Sequence, residues 1–299
     1  MAQKSIRLHI GAHRTGTSAL QATLDHNVNR LKAYNVAILT PWRVGQRDHM
    51  GLRLVTRSLR LAKANSGIAR WRHIYGARKH FNKLNAQKNA HILIMSDEEF
   101  LGIPFSYIDG ESIYPHCAAH LHNLARILPA KPERIHLTIR DYAGFLTSVY
   151  AMSALYRGGA PRFEAIKPKL FELKHRWPHV LFSVRKVFPD SAITFSRYGR
   201  NSVETALNAL LLPEVSLENV EKLPFRGLNT SPTSEAIEEA LRSHPGSAPK
   251  ADRVVSVYAN GTYFDPLALD EKKKLVQIYT EDLCTIKKHY KEVRAEKTS

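Results

Sequence analysis

Residues 5–20, SIRLHIGAHRTGTSAL, decide the fold of this chain because they predict a strand, a tight turn and the start of a helix. Apolar and polar residues alternate over 6–10, as in a strand with a period of two. Gly11 and Gly16 bracket the turn, and apolar residues three or four apart over 19–31 predict the helix. Because a helix N-terminus carries unpaired N–H groups and a partial positive charge, this segment favours the binding of an anion.

The spacing of the two glycines matches the P-loop of nucleotide-binding proteins at all but one position. Gly11 and Gly16 are followed by Thr17 and Ser18, whereas a P-loop has a lysine where this chain has Thr17. The positive charge comes earlier in the loop, from Arg14. We therefore predict an anion-binding loop; the alternative is a glycine turn that begins an ordinary helix.

The motif H-R-T-G-T-S at residues 13–18 resembles the opening loop of the sulfotransferases that use 3′-phosphoadenosine-5′-phosphosulfate (PAPS), in particular their bacterial and carbohydrate-type members. Where lysine is commoner in that family, this chain has Arg14, which holds two oxygens together but is a weaker proton donor. The family's loop wraps the 5′-phosphosulfate. The resemblance therefore implies PAPS as the sulfate donor and the following residues as its ligands: His13, Arg14, Thr15, Gly16, Thr17 and Ser18.

A second segment, IRDYAGFLTSVY, is similar to the family's contact with the 3′-phosphate of PAPS. Arg140 lies at the end of a predicted strand and Ser148 about two turns into the following helix, so a phosphate against this helix would meet both. Tyr142 stands where the family often has proline. The alternatives are an ion pair of Arg140 with Asp141 or Glu133, and a packing role for Ser148.

A third resemblance lies near residue 230. Residues 228–231, LNTS, match the N-x-S that family members often carry in a C-terminal cofactor loop. Arg226 and Gly227 precede this motif, and the resemblance implies that they close over the nucleotide. The alternative is an ordinary helix cap at Ser231 or Ser234.

The acceptor hydroxyl of a sulfotransferase needs a general base. Related glycan sulfotransferases use a glutamate, and bacterial relatives often have S-D-E-N-L after the third strand, to which residues 96–100, SDEEF, are similar. The resemblance assigns the base to Glu98, with His49 and His13 as further candidates; the alternatives are a solvated carboxylate and histidines used for packing or substrate contact. Sulfuryl transfer depends mainly on positioning and charge stabilisation, so Arg14 is also a catalytic candidate and no metal is expected.

Composition limits the class of protein. The 299 residues carry a net charge of +17, which favours an anionic ligand such as a nucleotide or an acidic glycan. No nucleic-acid-binding signature stands out, and no nucleic-acid partner is expected. Two cysteines far apart in the chain predict neither a disulfide framework nor a zinc site. With no apolar run long enough to span a membrane and no signal peptide, the sequence predicts a cytoplasmic protein.

Predicted strands and helices alternate along the chain. This alternation predicts an α/β fold, a three-layer parallel sheet with helices on both faces, and the resemblance makes it a P-loop NTPase-like sulfotransferase fold. We predict one domain over 1–299, with a core of about 1–210 and a C-terminal helical portion of about 211–299. Ligands of such sheets bind beyond the carboxyl ends of the strands. The predicted strands after the first are 36–40, 91–95, 134–139 and 192–195.

Two other functions fit parts of the pattern. A P-loop kinase or NTPase would use residues 92–97 as a Walker B strand with Asp97 binding magnesium, but the missing lysine at Thr17 argues against it. A non-catalytic protein that binds polyanions would account for the charge alone. For the sulfotransferase, family habit implies that the acceptor is a hydroxyl of a carbohydrate or glycolipid.

Overall fold

A six-stranded parallel sheet forms the centre of the protein. The computed structural model describes residues 5–41, 67–87, 90–104, 111–157, 160–223, 232–242 and 262–294. The strands are β1 (Ser5–His9), β2 (Val36–Leu39), β3 (Ile92–Ser96), β4 (Arg134–Ile139), β5 (Ala192–Arg197) and β6 (Lys291–Glu292). Their order in the sheet is β2-β3-β1-β4-β5-β6, and every neighbouring pair is parallel. The predicted α/β class with a parallel sheet is confirmed.

Helices fill the connections between these strands. The first two are α1 (Thr17–His26) and α2 (Val28–Ala33), which follow β1. The part of the chain that the structure describes contains no helix long and apolar enough to cross a membrane. The other described α-helices are α3 (Gly67–Gln87), α4 (Cys117–Ile127), α5 (Tyr142–Arg157), α6 (Phe163–Phe171), α7 (Trp177–Val187), α8 (Ser202–Leu211), α9 (Ser234–Arg242) and α10 (Leu269–Lys287).

The two faces of the sheet carry different helices. On one face, apolar side chains of α1, α2 and α8 pack against those of β2 and β3. On the other face, α3, α4, α5, α7 and α10 pack against the sheet. The chain leaves β1 toward one edge and leaves β3 and β4 toward the other, so right-handed crossovers put the intervening helices on opposite faces. The predicted three-layer arrangement is confirmed.

β1 is buried on both sides, although its alternating pattern is typical of a half-buried strand. Leu8 is 0% exposed and Arg7 only 1%. The Arg7 guanidinium donates to the Leu210 carbonyl in the last turn of α8 (2.7 Å) and pairs with Glu214, whose pKa it holds below the usual value. A cation is favourable there because of the helix dipole. The polar residue in β1 therefore joins the sheet to a helix.

Three elements differ from the sequence prediction. The helix predicted over 19–31 is broken at Asn27, whose side-chain amide donates to the Thr23 and Glu221 carbonyls, each at 2.8 Å. The sequence predicts two short helices over 163–187 that are divided at Pro178, but the break comes earlier and Pro178 lies in the first turn of α7. β6 is absent from the prediction because a strand of two residues carries no periodic pattern.

The C-terminal helix α10 packs onto helices of the first part of the chain. Leu283 and Ile286 of α10 belong to the same buried cluster as the strands. Tyr142, at the start of α5, donates its hydroxyl to Asp282 of α10 (2.6 Å), and Arg176 pairs with the same carboxylate (3.1 Å). These polar contacts tie α10 to the region that follows β4.

Candidate functional site

The order of the strands creates a crevice between β1 and β4. These two strands are neighbours, and the connections that follow them run toward opposite edges of the sheet. In a parallel sheet, such a reversal leaves a crevice beyond the carboxyl ends of the two strands, where ligands bind. The loop that follows β1 and Arg140, which follows β4, both lie at this edge. The two segments that sequence analysis selected for anion binding are thus brought to one place.

The loop after β1 is a tight turn with two residues in the left-handed region. Arg14 has φ 63° and Gly16 has φ 83°. Thr15 donates its hydroxyl to the Ala12 carbonyl (2.6 Å), and α1 begins at Thr17. A left-handed conformation costs a non-glycine residue about 1–2 kcal/mol, so the surrounding structure must hold Arg14 there. The turn places the N-terminus of α1, which attracts anions, at the carboxyl end of β1.

The loop meets the Arg140 segment directly. Arg14 Nε donates to Ser148 Oγ at 2.7 Å, and Arg140 Nη1 donates to the Arg14 carbonyl at 3.1 Å. The Arg140 guanidinium also lies over the Tyr198 ring, 4.8 Å from its centroid, in a cation–π contact. We call these four residues, Arg14, Arg140, Ser148 and Tyr198, the arginine cluster.

The bond between Arg14 and Ser148 bears on the roles predicted for them. The resemblance assigns Arg14 to the 5′ end of PAPS and Ser148 to the 3′ end, yet the two side chains are bonded to each other. A guanidinium has five N–H donors and a serine hydroxyl has one O–H donor, so a bond through Arg14 Nε does not by itself keep either side chain from a ligand oxygen.

Arg140 is itself held in position by neighbours of both its backbone and its side chain. Its carbonyl accepts a hydrogen bond from Trp177 Nε1 at 2.8 Å. Its guanidinium lies so close to Gly144 that a Cβ there would be 2.7 Å from Arg140 Nε. Asp141 caps α5 by accepting from the Gly144 N–H (2.7 Å). The sequence prediction does not include three residues that hold Arg140: Trp177, Gly144 and Tyr198. Of these, Gly144 has a signal in the sequence, because it is a glycine inside a predicted helix.

Glu98 lies just beyond β3, in the 3-10 turn Glu98–Leu101. Its side chain is half-buried and accepts a hydrogen bond from Gln21 Nε2 of α1 at 3.3 Å. Burial raises the pKa of Glu98 above that of a solvated carboxylate, and the charge of Glu99 acts in the same direction. A raised pKa makes the ionised carboxylate a better proton acceptor. Glu98 is therefore packed beside α1 and is not a solvated loop carboxylate.

His13, another candidate base, is bonded to Tyr114. The His13 backbone N–H donates to the Tyr114 hydroxyl (3.0 Å), and His13 Nδ1 lies 3.2 Å from the same oxygen. Burial raises the pKa of Tyr114, and the Glu98 carboxylate adds to this rise. Burial, and then the charge of Arg14, lower the pKa of His13 to about 3. An imidazole of such low pKa accepts protons poorly, so His13 is a weaker candidate than Glu98.

Asp97, the magnesium ligand of the kinase alternative, has a structural role in this region. Its carboxylate accepts from the Glu99 N–H (2.9 Å) and caps the 3-10 turn. Within the described ranges, no group of three or more His, Cys, Asp or Glu side chains is arranged to hold a metal ion. The remaining predicted site residues lie outside the described residues: His49, Arg226, Gly227 and 228–231.

Beneath the loop, two buried histidines lie side by side. The rings of His9 in β1 and His136 in β4 are stacked with centroids 6.1 Å apart, and both residues are 1% exposed. His9 Nδ1 is hydrogen-bonded to the Ser96 hydroxyl (2.9 Å), and His136 Nε2 to that of Ser196 (3.0 Å). Burial lowers the pKa of each histidine to about 3. Both are therefore neutral in the folded protein at pH 7.

We expect acid to destabilise the protein through this pair. In the unfolded chain His9 and His136 bind protons near pH 6.5, whereas in the folded protein they do so only near pH 3. Between these values the unfolded state binds more protons, so the free energy of unfolding falls as the pH is lowered from 6.5 toward 3. Down to about pH 5 the loss is at most about 2 kcal/mol for each histidine. Urea unfolding at neutral and at mildly acidic pH measures this loss in the free energy of unfolding.

Replacing His136 with asparagine should reduce this pH dependence, because one of the histidines whose pKa is lowered by burial is removed. The matched control is His122→Asn, since His122 is exposed on α4. If the free energy of unfolding changes with pH as much in H136N as in the wild-type protein, other groups govern the stability in acid.

In comparisons with known proteins, the chain matches no family model and no curated protein. The geometry of the crevice is therefore what bears on the function of this protein. Its parts are the N-terminus of α1, the arginine cluster and the half-buried Glu98, all of which lie at the carboxyl ends of β1, β3, β4 and β5.

Proposed function

We propose that this protein is a sulfotransferase that moves a sulfuryl group from PAPS to a hydroxyl of a carbohydrate or glycolipid. One observation carries the proposal: Arg140 donates to the carbonyl of Arg14 across the crevice between β1 and β4, at 3.1 Å. The two residues are 126 positions apart in the sequence. They belong to the two segments whose motifs resemble the donor-binding segments of sulfotransferases.

The chemistry of the crevice suits a nucleotide with several anionic groups. The arginine cluster contributes the Arg14 and Arg140 guanidinium groups and the Ser148 hydroxyl. Gly16, in its left-handed conformation, adds the N-terminus of α1. The neighbouring carboxylate of Asp141 is engaged in capping α5. Hydrogen-bond donors therefore predominate in the crevice. Guanidinium groups and helix N-termini are the groups that bind phosphate and sulfonate oxygens in proteins.

PAPS, when bound, supplies the sulfuryl group. Arg14 and the N-terminus of α1 would hold the phosphosulfate end and balance the negative charge that develops there. Arg140 and Ser148 would hold the 3′-phosphate and so orient the nucleotide. Arg14 presents two N–H groups in a fixed fork, which positions oxygens well but donates a proton less readily than lysine. The main contributions of the arginine cluster are therefore positioning and charge stabilisation.

Glu98 is the proposed general base toward the acceptor hydroxyl. Burial raises its pKa, so its carboxylate holds a transferred proton more readily than a solvated glutamate does. Gln21 orients the carboxylate through a hydrogen bond of 3.3 Å. His13, neutral because its pKa is lowered to about 3, is left as a contact for the substrate.

A P-loop kinase is the main alternative, and the position of Thr17 argues against it. A P-loop has a lysine there that reaches the terminal phosphates. Thr17 is 4% exposed, and its hydroxyl donates to the Ala12 carbonyl at 3.4 Å, so the side chain is turned into the loop. The positive charge of the loop comes from Arg14, which extends toward α5.

Thermal unfolding with added nucleotides tests the proposal. Adenosine 3′,5′-bisphosphate, the nucleotide left after sulfuryl transfer, should raise the Tm more than ATP or ADP at the same concentration, and EDTA should not change the effect. A ligand at a hundred times its Kd adds roughly 2.7 kcal/mol of stability, which corresponds to a shift of several degrees. A larger, magnesium-dependent shift with ATP would favour the kinase. Salt-sensitive heparin binding without any nucleotide effect would favour the polyanion-binding protein.

A further inference from the structure

Helix α3 carries an apolar stripe that faces away from the protein. Ile68, Trp71 and Tyr75 are 73%, 62% and 56% exposed, and their spacing of three and four residues puts them on one face of the helix. The rings of Trp71 and Tyr75 stack, with centroids 5.1 Å apart and 12° between their planes. Single exposed apolar side chains are ordinary, but three aligned over two turns form a patch. We call these three residues the α3 stripe.

The opposite face of α3 already holds the helix on the sheet. Ala77 and Phe81 are 4% and 0% exposed and belong to the large buried cluster on that side. Arg70 Nη2 donates to Asn123 Oδ1 of α4 at 2.9 Å. The α3 stripe takes no part in these contacts, and its three side chains are exposed.

Basic side chains lie on both sides of the α3 stripe. The helix contains no aspartate or glutamate, and Arg72, Arg78 and Lys79 are exposed. At about 100° per residue, Arg78 lies about 20° beyond Trp71, whereas Lys79 and Arg72 lie about 20° and 40° beyond Ile68 on the other side. The exposed surface of α3 is therefore a narrow apolar patch bordered by positive charges.

We propose that α3 docks the protein on the surface of an anionic phospholipid bilayer. Tryptophan and tyrosine are the side chains that favour the membrane–water interface, and neighbouring lysine and arginine side chains attract anionic headgroups. An apolar stripe with cationic borders is the pattern of a helix that lies in the plane of this interface. The positive charges beside the α3 stripe thus complement the negative charges of the bilayer surface. This inference does not depend on the proposed sulfotransferase activity.

The stacking of the two aromatic rings favours a bilayer over a nucleic acid as the partner, because it leaves fewer ring faces for bases. Single-stranded nucleic acids bind to aromatic side chains by stacking bases on the faces of the rings. In α3, Trp71 and Tyr75 each cover one face of the other ring. Ile68 offers no stacking surface, whereas it extends the apolar area that a bilayer would cover.

Sedimentation with vesicles tests the inference. The full chain is mixed with vesicles of phosphatidylcholine, or of phosphatidylcholine with phosphatidylserine. We expect roughly tenfold or greater preference for the vesicles that contain phosphatidylserine, and weaker binding at higher salt. Replacing both aromatic residues (W71S/Y75S) should weaken this binding by roughly tenfold or more. The Tm should not change, because both side chains are mostly exposed.

The matched control is L269S/V276S, which removes two apolar side chains of α10 that are 70% and 48% exposed. This variant should bind vesicles as the wild-type protein does. The inference is overturned by no binding, by equal binding to both kinds of vesicle, or by equal losses in the two double variants. It is also overturned if W71S/Y75S loses binding to RNA or heparin and keeps its binding to vesicles. Affinity for adenosine 3′,5′-bisphosphate is measured separately, so the two proposals fail independently.

Discussion

Replacing Arg140 with alanine is expected to weaken the binding of adenosine 3′,5′-bisphosphate by roughly tenfold to a hundredfold. The Arg140 guanidinium lies at the carboxyl end of β4, against Tyr198 and the carbonyl of Arg14. In the proposed function it donates charged hydrogen bonds to the 3′-phosphate, each of which contributes about 1.5–3 kcal/mol. Because about 1.4 kcal/mol corresponds to a factor of ten in affinity, the loss of one such bond gives the expected range.

Part of this loss should come from the loop after β1. Arg140 Nη1 holds the carbonyl of Arg14, whose backbone is in the left-handed region (φ 63°), and alanine removes that support. Arg140→Lys separates the two contributions, since lysine keeps the charge but lacks the planar fork that bonds two acceptors at once. We expect R140K to recover part of the affinity that R140A loses.

Isothermal titration calorimetry on the folded variants measures these differences. The matched control is R126A, because Arg126 is exposed on α4 and its removal lowers the net charge of +17 by the same amount. R126A should bind the bisphosphate as the wild-type protein does. If R140A also binds it with unchanged affinity, Arg140 does not hold the 3′-phosphate, and the contact between Arg140 and Arg14 no longer supports a sulfotransferase.

Replacing Gly11 with alanine is expected to abolish measurable bisphosphate binding and to lower the free energy of unfolding by about 1–3 kcal/mol. A Cβ at Gly11 would lie 2.4 Å from His9 Cε1 and 2.6 Å from Thr17 Oγ1. Both neighbours are buried, at 1% and 4% exposed, so neither side chain has room to move away. The loop must therefore shift, and with it both Arg14 and the N-terminus of α1, which are the proposed ligands of the phosphosulfate.

Gly199→Ala is the matched control for this substitution. Gly199 follows β5 at the same edge of the sheet, and a Cβ there would meet nothing within 4 Å. Thermal unfolding and calorimetry on the two variants should therefore show a loss of stability and binding in G11A alone. A G11A protein with the Tm and the affinity of the wild type would mean that the geometry of this loop is not what binds the nucleotide.

The two anion-binding segments could be predicted because their signals are local. Gly16 ends a turn between a strand pattern and a helix pattern, and Arg140 directly follows a strand pattern. In a parallel sheet the carboxyl ends of all strands lie at the same edge. That both anion-binding segments lie at this edge therefore follows from the α/β class. The half-buried state of Glu98 could not be predicted, because it depends on α1 and Gln21, far from it in sequence.

Other parts of the site have no local signal. Trp177, which holds the Arg140 carbonyl, and Tyr198, which lies under its guanidinium, come from segments that follow later in the chain. Arg7 and His9 have the sequence pattern of a strand's solvent face, yet both are buried. Arg7 is buried because α8 returns to the sheet and accepts a hydrogen bond from it through Leu210, whereas His9 is buried against His136 and Ser96 of the neighbouring strands.

The sequence by itself determined the succession of strands and helices and the positions of the anion-binding loops, because the periods of two and 3.6 residues follow from side-chain directions within each element. Only the tertiary structure decided that β1 lies between β3 and β4. Strand order depends on packing between segments that are far apart in the chain, and no local pattern encodes it. That order brings Arg140 against the Arg14 carbonyl, so the contact on which the proposed function depends is a property of the fold.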